Sequence, residues 1–350
     1  MKNSGIAHCL TRQWFRRQLS LALLPLMPLA GVFRWITAVR RSLYRCGALP
    51  SYRLPVPVVV VGNLTVGGSG KTPLVLWLVE QLCEQGWRPG IISRGYGGKN
   101  EKSREVVPAS NPAVVGDEPL LLFRRSNVPV FIGRDRVAAG QALLAAYPDC
   151  NVIVSDDGLQ HYRLQRSVEI VVFDGRAAGN QFLLPAGPLR EPLSRLTEVT
   201  AVVWNSAGDG QAKRMKEKIN LPQYEMHLVG GDFVSLVDVR VRVKVGDLRG
   251  KRLYAIAGIG DPKRFFSQLT AMGLAFDAHP FPDHFAYSEE SLAFARDGVL
   301  LMTEKDAVKC AALKLGEAWV LPVVAHIDPP PQGPTLLATI LEKINGRPPA

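Results

Sequence analysis

The residues Gly62–Thr72 form a glycine-rich stretch that ends in Gly-Lys-Thr. Glycines let backbone N–H groups turn towards a phosphate, a lysine at a helix start bridges two phosphates, and the following threonine offers a hydroxyl to magnesium. We therefore predict a nucleotide-binding loop in which Lys71 contacts the β- and γ-phosphates of ATP and Thr72 binds Mg²⁺. The residues predicted to contact the nucleotide are Thr65, Val66, Gly67, Gly68, Ser69, Gly70, Lys71 and Thr72.

The flanking residues supply the elements that such a loop needs. Pro57–Val61 is a β-branched run typical of a buried parallel strand, and Pro73–Leu82 reads as a helix. The loop departs from the strict P-loop pattern because Thr65 stands where that pattern has glycine, and Gly67 and Gly68 are expected to supply the flexibility. A glycine loop without a nucleotide role is the alternative, and the strand and helix around it argue against that reading.

A second apolar run, Asn151–Val154, leads to two adjacent carboxylates, Asp156 and Asp157. P-loop enzymes place acids at the carboxyl end of a parallel strand to hold magnesium or its waters. We therefore predict that both aspartates take part in catalysis as Mg²⁺ ligands. An Asp-Gly turn without a metal role is the alternative for Asp157.

Two glycine- or proline-bounded loops carry charged residues. Arg94 lies in Ser93–Gly98, directly after the strand Gly90–Ile92, and Arg190 and Glu191 lie between prolines. An arginine there can bind a phosphate of the substrate or the nucleotide, although loop rigidity alone would also explain the glycines.

The 350 residues carry a net charge of +11, and the excess is concentrated at the N-terminus. No acidic residue precedes Glu80, whereas nine basic residues precede position 55. This asymmetry predicts attraction to a phosphate-rich surface, either nucleic acid or anionic lipid. The five cysteines form neither a disulfide framework nor a CxxC pair, which predicts reduced thiols, and neither an internal repeat nor zinc-ligand spacing occurs in the sequence.

The apolar stretch Leu19–Phe33 contains Pro25 and Pro28 and is followed by arginines. It is shorter than the about 20 apolar residues that cross a bilayer, so we predict an interfacial helix pair that contacts lipid with its apolar face. A helix packed on its own domain is an alternative, and the two can coexist. A secretory signal is a further alternative, but a nucleotide site belongs in the cytoplasm.

Five motifs in order resemble the tetraacyldisaccharide 4'-kinase family, the lipid A kinases of Gram-negative bacteria. They are Gly62–Pro73, Ser93–Gly98, Gly116–Pro119, Asp156–His161 and Thr303–Ala307. The resemblance implies transfer of the ATP γ-phosphate, with Mg²⁺, to the 4'-hydroxyl of an acylated glucosamine disaccharide 1-phosphate. It also implies a peripheral location at the cytoplasmic face of the inner membrane, with contact through residues 1–50. Neither nucleic acid nor an obligate protein partner is expected.

The resemblance further implies a catalytic pair, Asp117 and His284. A sugar hydroxyl needs a proton acceptor for in-line attack, and a carboxylate backed by imidazole can supply one. Taken alone, Asp117 also suits a helix N-cap and His284 a packed or exposed histidine. The predicted substrate-binding residues are Arg94, Glu118, Arg190 and Glu191.

The predicted fold class is α/β: a P-loop NTPase-type parallel sheet flanked by helices, with a membrane-associating N-terminal segment. The resemblance implies in addition a smaller C-terminal α/β lobe joined by a β-ribbon. The predicted domains are 1–50 (N-terminal helices), 51–232 (kinase core), 233–252 (ribbon) and 253–350 (C-terminal lobe). Alternating valines in Ser235–Arg252 suit the ribbon.

Two rival functions compete with a lipid kinase. A P-loop NTPase switch or chaperone would carry a lysine at position 66 or an NKxD motif, and neither occurs. A nucleic-acid-dependent ATPase would have a basic and aromatic arm without the continuous apolar run that Leu19–Phe33 forms.

Overall fold

The computed structural model describes residues 11–16, 20–95, 103–205 and 210–345. Within these residues the strands form a nine-stranded sheet and a six-stranded sheet. We call the layers around the larger sheet the first lobe and those around the smaller sheet the second lobe. The predicted α/β class with two lobes is confirmed.

The larger sheet has the order β15-β8-β7-β6-β1-β5-β2-β4-β3. Its neighbouring strands are parallel except at the two edges, where β15 pairs antiparallel with β8 and β3 with β4. The strands are β1 (Val58–Gly62), β2 (Pro89–Ser93), β3 (Arg104–Glu105), β4 (Val130–Ile132), β5 (Val152–Asp156), β6 (Val168–Asp174), β7 (Ala201–Asn205), β8 (Gln223–Gly230) and β15 (Val323–Ile327).

The central strand β1 is buried on both faces. Val59 and Val61 contribute to the core on one face, while Val58 and Val60 contribute to the core on the other. Successive side chains of a strand point to opposite faces, so only a uniformly apolar run can lie between two helical layers. The β-branched sequence therefore places β1 in the middle of the sheet, and the loop after it at the carboxyl edge.

Helices cover both faces of the larger sheet. They are α1 (Met27–Arg45), which continues a 3₁₀ helix at Leu21–Leu26, then α2 (Lys71–Glu84), α3 (Pro112–Val115), α4 (Asp117–Ser126), α5 (Arg136–Ala146), a 3₁₀ helix at Leu193–Glu198, and α6 (Gly210–Lys216). One face packs against α2 and α4, and the other against α5 and α6.

The second lobe is built on the six-stranded sheet, ordered β10-β9-β14-β13-β11-β12. Its strands are β9 (Phe233–Ser235), β10 (Arg242–Val243), β11 (Leu253–Ala257), β12 (Asp277–Pro280), β13 (Val299–Thr303) and β14 (Ala318–Leu321). Its helices are α7 (Val245–Leu248), α8 (Pro262–Ala271), a 3₁₀ helix at Ala293–Ala295, and α9 (Glu304–Cys310).

The ribbon is shorter than the alternating valines predicted. Only β9 and β10 pair there, and α7 follows them. The carboxylate of Asp238 accepts a hydrogen bond from the backbone N–H of Arg240, which forms a turn instead of a longer strand. The predicted strand positions Val237 and Val239 are consequently exposed.

The C-terminal end of the chain returns to the first lobe, which differs from the interpretation that placed 253–350 in one lobe. Pro322 separates β14 from β15, so the apolar run Trp319–Val324 divides between the two sheets. Proline has no N–H to donate and interrupts the ladder at the crossing. The last helix, α10 (Leu336–Asn345), buries Leu336 and Ile340 in the core of the first lobe.

The N-terminal helix is continuous where an interrupted segment was predicted. Pro25 lies in the 3₁₀ turn and Pro28 in the first turn of α1, where the missing N–H breaks no hydrogen bond. Among the described helices, the element Leu21–Arg45 is long and apolar enough to cross a membrane, by length and composition only. The expectation that this segment is too short to span therefore does not hold for the folded helix.

We predict that Ile340→Ala lowers the free energy of unfolding by about 2–5 kcal/mol, because a fully buried side chain leaves a cavity in the first lobe. Denaturation by urea measures the change. Val237→Ala is the matched control at an exposed aliphatic position, with an expected change within about 0.5 kcal/mol. Equal stability of the two variants would contradict the docking of α10.

Candidate active site

The loop between β1 and α2 has the backbone shape of a phosphate-binding loop. Gly67 and Gly70 have φ angles of 101° and 90°, a region that favours glycine. Lys71 and Thr72 begin α2, so the N–H groups of its first turn face the concave side of the loop. The predicted order of strand, loop and helix is confirmed.

The N-terminal part of the loop is tied to the segment that carries Arg190. The N–H of Val66 donates to the carbonyl of Pro188 at 2.9 Å, and the N–H of Arg190 donates to the carbonyl of Leu64 at 2.7 Å. Thr65 is buried and forms a β-bridge with Leu189. Thr65, which departs from the P-loop pattern, thus helps to join the loop to the segment that carries Arg190.

The C-terminal part of the loop is held by side chains from β7 and from the segment that follows β6. Asn205 Nδ2 donates to the carbonyl of Ser69 at 2.9 Å, and Arg176 Nη2 donates to the carbonyl of Gly68 at 3.4 Å. Arg264 of the second lobe donates in turn to Asn205 Oδ1 at 2.6 Å. The loop is therefore positioned from both lobes.

Asp156 and Asp157 lie in different surroundings. Burial raises the pKa of Asp156 to about 7, the charge of Glu118 adds to the rise, and Lys71 opposes it. Burial also disfavours the charged form of Asp157, yet Lys71 and Arg190 lower its pKa to about 2. The Asp157 carboxylate is 3.6 Å from Lys71 Nζ and 3.0 Å from Arg190 Nη1. Two cations thus already neutralise Asp157.

Arg190 and Glu191 face different neighbours. Arg190 Nη1 donates to both carboxylate oxygens of Asp157. Glu191 is buried and accepts hydrogen bonds from Tyr162 Oη and from Gln160 Nε2. The structure therefore places Arg190 in the charged cluster beside Lys71, and Glu191 in a network behind it.

Arg94 follows β2 at the same sheet edge and is exposed. Burial, together with the charges of the buried Arg136 and of Arg94, lowers the pKa of His161 to about 3. The imidazole is therefore neutral at physiological pH. The rest of the predicted motif after Gly95, residues 96–98, lies outside the described residues.

Asp117 and His284 meet across the two lobes. Asp117 begins α4 in the first lobe, His284 follows β12 in the second, and Nδ1 of the imidazole lies 3.0 Å from Asp117 Oδ2. The hydrogen bond to Asp117 raises the pKa of His284 above its usual 6.5. Burial alone would raise the pKa of Asp117, but His284 and Lys305 lower it. The two residues named by the resemblance are thus in contact.

Glu118 lies beside this pair and takes part in an ion pair with the second lobe. Its Oε1 accepts a hydrogen bond from Lys305 Nζ at 3.0 Å. Glu118 also acts electrostatically on Asp156, which places the two sites close together. A β-carbon on Gly260 of the second lobe would lie 3.1 Å from the backbone nitrogen of Gly68, so that lobe also approaches the phosphate loop.

Several residues that shape the site were not predicted. Ser93, Asp174 and Asn205 are the last residues of β2, β6 and β7, and Ser93 Oγ donates to Asp156 Oδ2 at 3.1 Å. A polar residue closing each apolar strand was the available signal, because parallel strands end at a common edge. Arg136 and Arg264 lie in helices whose sequences give no such signal.

A glycine loop of this shape, with its lysine beginning a helix, makes the first lobe a P-loop NTPase-type domain. The acid–imidazole pair beside it can accept a proton from a hydroxyl, as a kinase requires. A family model described as tetraacyldisaccharide-1-P 4'-kinase (LpxK) matches residues 22–344. The chain therefore belongs to this family of kinases.

The relatives agree with this assignment. The chain is 52% identical to tetraacyldisaccharide 4'-kinase of Dechloromonas aromatica, over 98% of this chain and 99% of that protein. It is 51% identical to the same-named protein of Azoarcus sp., over 93% of each chain. The crystal structure of LpxK from Aquifex aeolicus in complex with ATP superimposes with a TM-score of 0.78 at 28% identity, covering 93% of this chain and all of that one.

We predict that Gly70→Ala lowers kinase activity at least about tenfold, because a left-handed alanine costs about 1–2 kcal/mol and tenfold corresponds to about 1.4 kcal/mol. The new β-carbon would also lie 2.0 Å from Asn205 Nδ2. Steady-state kinetics together with a melting curve separate a local effect from unfolding. Gly246→Ala is the control, since no atom of the described residues outside its own helical turn and chain neighbours lies within 4 Å of its β-carbon. Full activity in Gly70→Ala would contradict the loop geometry.

Proposed function

We propose that this protein transfers the γ-phosphate of ATP to the 4'-hydroxyl of a tetraacylated glucosamine disaccharide 1-phosphate, a step of lipid A biosynthesis. The observation that carries the proposal is the hydrogen-bonded Asp117–His284 pair beside a P-loop that ends in Lys71. Its relatives are named as kinases of this substrate, and the Aquifex protein was crystallised with ATP. These similarities disfavour the alternative of an NTPase switch that drives a protein partner.

The loop residues Thr65–Thr72 bind the nucleotide. The backbone N–H groups around Gly67–Gly70 surround the β-phosphate, and the start of α2 adds its partial positive charge. Lys71 contacts the β- and γ-phosphates, where its ammonium compensates the charge that moves between oxygens during transfer. Arg190 holds Asp157 beside Lys71 and so keeps the lysine oriented.

The residues at the carboxyl edge fit a magnesium ion. Asp156 Oδ1 is buried and has no hydrogen-bond partner among the described residues, and the half-buried Thr72 begins the adjacent helix. A carboxylate and a hydroxyl are the oxygen ligands that Mg²⁺ prefers. Asp157, already paired with two cations, is better suited to the outer shell of the ion. When bound, Mg²⁺ neutralises charge on the phosphate oxygens.

The Asp117–His284 pair accepts the proton of the sugar hydroxyl. The Asp117 side chain is 6% exposed and lies behind the imidazole, which is 34% exposed. His284 is therefore the member that the acceptor hydroxyl can reach, and Asp117 orients the ring and stabilises its protonated form. The elevated pKa makes the imidazole a stronger base near neutral pH.

The acceptor lipid contacts the polar groups that flank this pair. Arg94 offers an exposed guanidinium for an anionic group of the sugar head. Glu118 follows Asp117 in the chain, and Arg190 pairs with Asp157 beside Lys71 of the phosphate loop. Glu191 acts from the second layer through Tyr162 and Gln160. These assignments give every predicted substrate-binding residue a place in the proposed reaction.

The helix Leu21–Arg45 holds the protein at the cytoplasmic face of the inner membrane. Leu23 and Ala30 are buried, Phe33 packs against the core of the first lobe, and Arg41 and Arg45 form ion pairs with Glu198. The opposite face exposes large apolar side chains: Leu21, Leu24, Leu29, Val32, Trp35 and Ile36. An apolar face flanked by arginines suits an anionic bilayer that also carries the lipid substrate.

We predict that the protein moves the label from γ-labelled ATP to the tetraacylated disaccharide 1-phosphate in detergent micelles. Lys71→Ala should yield no labelled lipid, and Asp117→Ala should lower turnover by about 10²-fold or more while ATP binding is retained. Thin-layer chromatography and a nucleotide-binding assay provide the two measurements. Asp238→Ala, at an exposed turn, is the matched control with wild-type turnover. Undiminished turnover in Asp117→Ala would exclude the pair from the reaction.

We predict that Trp35→Glu combined with Ile36→Glu lowers binding to anionic phospholipid vesicles at least about tenfold, because each apolar side chain withdrawn from lipid loses about 1.5–3 kcal/mol. Both side chains are at least half exposed, so the fold is retained. Co-sedimentation with vesicles measures the bound fraction. Val237→Glu, on the second lobe, is the control with unchanged binding. Binding of the double variant equal to wild type would show that another surface contacts the membrane.

A further inference from the structure

Lys305 lies among three carboxylates near the proposed reaction centre. It is the second residue of α9, and its Nζ is 3.0 Å from Glu118 Oε1, 3.0 Å from Asp283 Oδ1 and 3.9 Å from Asp117 Oδ2. Its side chain is 14% exposed. The motif that contains Lys305 took part in the family resemblance, but neither the loop chemistry nor the proton acceptor uses it.

The contacts of Lys305 connect the two lobes. Asp117 and Glu118 begin α4 of the first lobe, whereas Asp283 and Lys305 belong to the second. Helices α4 and α9 pack against each other, and Arg125 of α4 pairs with Glu304 of α9. A cation at position 305 is therefore bonded on one side to the helix that carries Asp117 and on the other to the residue before His284.

The side chain at position 305 must be positively charged for the two lobes to pack together at this contact. All three carboxylates lie within 4 Å of Lys305 Nζ. Without a positive charge there, they would repel each other strongly in a site with little water. Burial alone would lower the pKa of Lys305, but Glu118, Asp283 and Asp117 raise it above its ordinary value. The amine therefore stays charged throughout the physiological range.

We propose that Lys305 is a positioning residue for phosphoryl transfer, whose ammonium joins Glu118 to Asp283 at the contact between the lobes and sets the charge beside the Asp117–His284 pair. The inference rests on the proposed function. It assigns to Lys305 a role that is exerted through other side chains, without contact with the transferred phosphate.

The electrostatic part of this role has a definite sign. A positive charge at Lys305 disfavours the imidazolium form of His284, and a negative charge at Asp283 favours it. Among the described residues, Asp117 raises the pKa of His284, and Lys309 of α9 lowers the pKa of Asp117. Removing Lys305 lets His284 keep its proton to higher pH, and removing the charge of Asp283 has the opposite effect. Because the imidazole must be neutral to accept a proton, activity follows these changes.

The test is the pH dependence of kcat/KM for lipid phosphorylation in the full-length protein. We expect kcat/KM of the wild type to fall at low pH with an apparent pKa above 6.5, the raised pKa of His284. Lys305→Met should move this acid limb upward by about one pH unit, and Asp283→Asn should move it downward. Lys305→Arg keeps the charge and should restore the wild-type limb. Lys251→Met, which breaks an exposed pair with Glu317 in the second lobe, is the control with an unchanged profile.

An unchanged acid limb in Lys305→Met, or an equal loss of activity at every pH together with a lower melting temperature, would overturn the inference and leave Lys305 a purely structural ion pair. An NMR titration of the His284 ring, assigned with His284→Gln, reads the same pKa change without turnover. If the wild type phosphorylates no lipid, the proposed function fails, and the titration still decides the role of Lys305. A His284 pKa that does not rise in Lys305→Met would count against it.

Discussion

The hydrogen bond between Asp117 and His284 joins two sheets that share no strand. A carboxylate with a 6% exposed side chain would be costly to leave unpaired, and the imidazole compensates it only while the lobes remain together. The approach of Gly260 to Gly68 and the bond between Arg264 and Asn205 depend on the same arrangement. The phosphate loop, the proposed proton acceptor and the contact between the lobes consequently all require the same arrangement of the two lobes.

The three acids Asp117, Asp156 and Asp157 differ in the charged groups that surround them. Asp157 is neutralised by Lys71 and Arg190, whereas Asp156 remains buried with a raised pKa. Asp117 is the third case, since its hydrogen bond with imidazole keeps it ionised. Environment rather than residue type distinguishes these three acids, because burial raises the pKa of a carboxyl group whereas neighbouring cations lower it.

In the proposed function, the N-terminal helix connects the folded kinase to the lipid phase. Its inner face and the Glu198 ion pairs fasten it to the first lobe, and its outer face leaves apolar side chains in contact with the surroundings. A substrate that carries acyl chains is presented most easily to an enzyme whose own apolar surface lies in the same interface. The basic N-terminal charge adds attraction to anionic headgroups.

Local patterns by themselves determined the fold class, the phosphate loop and the acids that close β5. An apolar β-branched run, glycines and a following helix are interactions between near neighbours in the chain, so a reader of the sequence can find them. The pair of Asp117 and His284, to which we assign the proton transfer, could be named only through resemblance to a family. Only the tertiary structure decided that Lys305 lies between Glu118 and Asp283, that β15 and α10 return to the first lobe, and that the N-terminal helix is continuous. These outcomes depend on contacts between residues separated by as many as 187 positions. Side chains from distant segments select among local conformations of similar energy. At Asp238, a turn formed where the alternating valines predicted a strand.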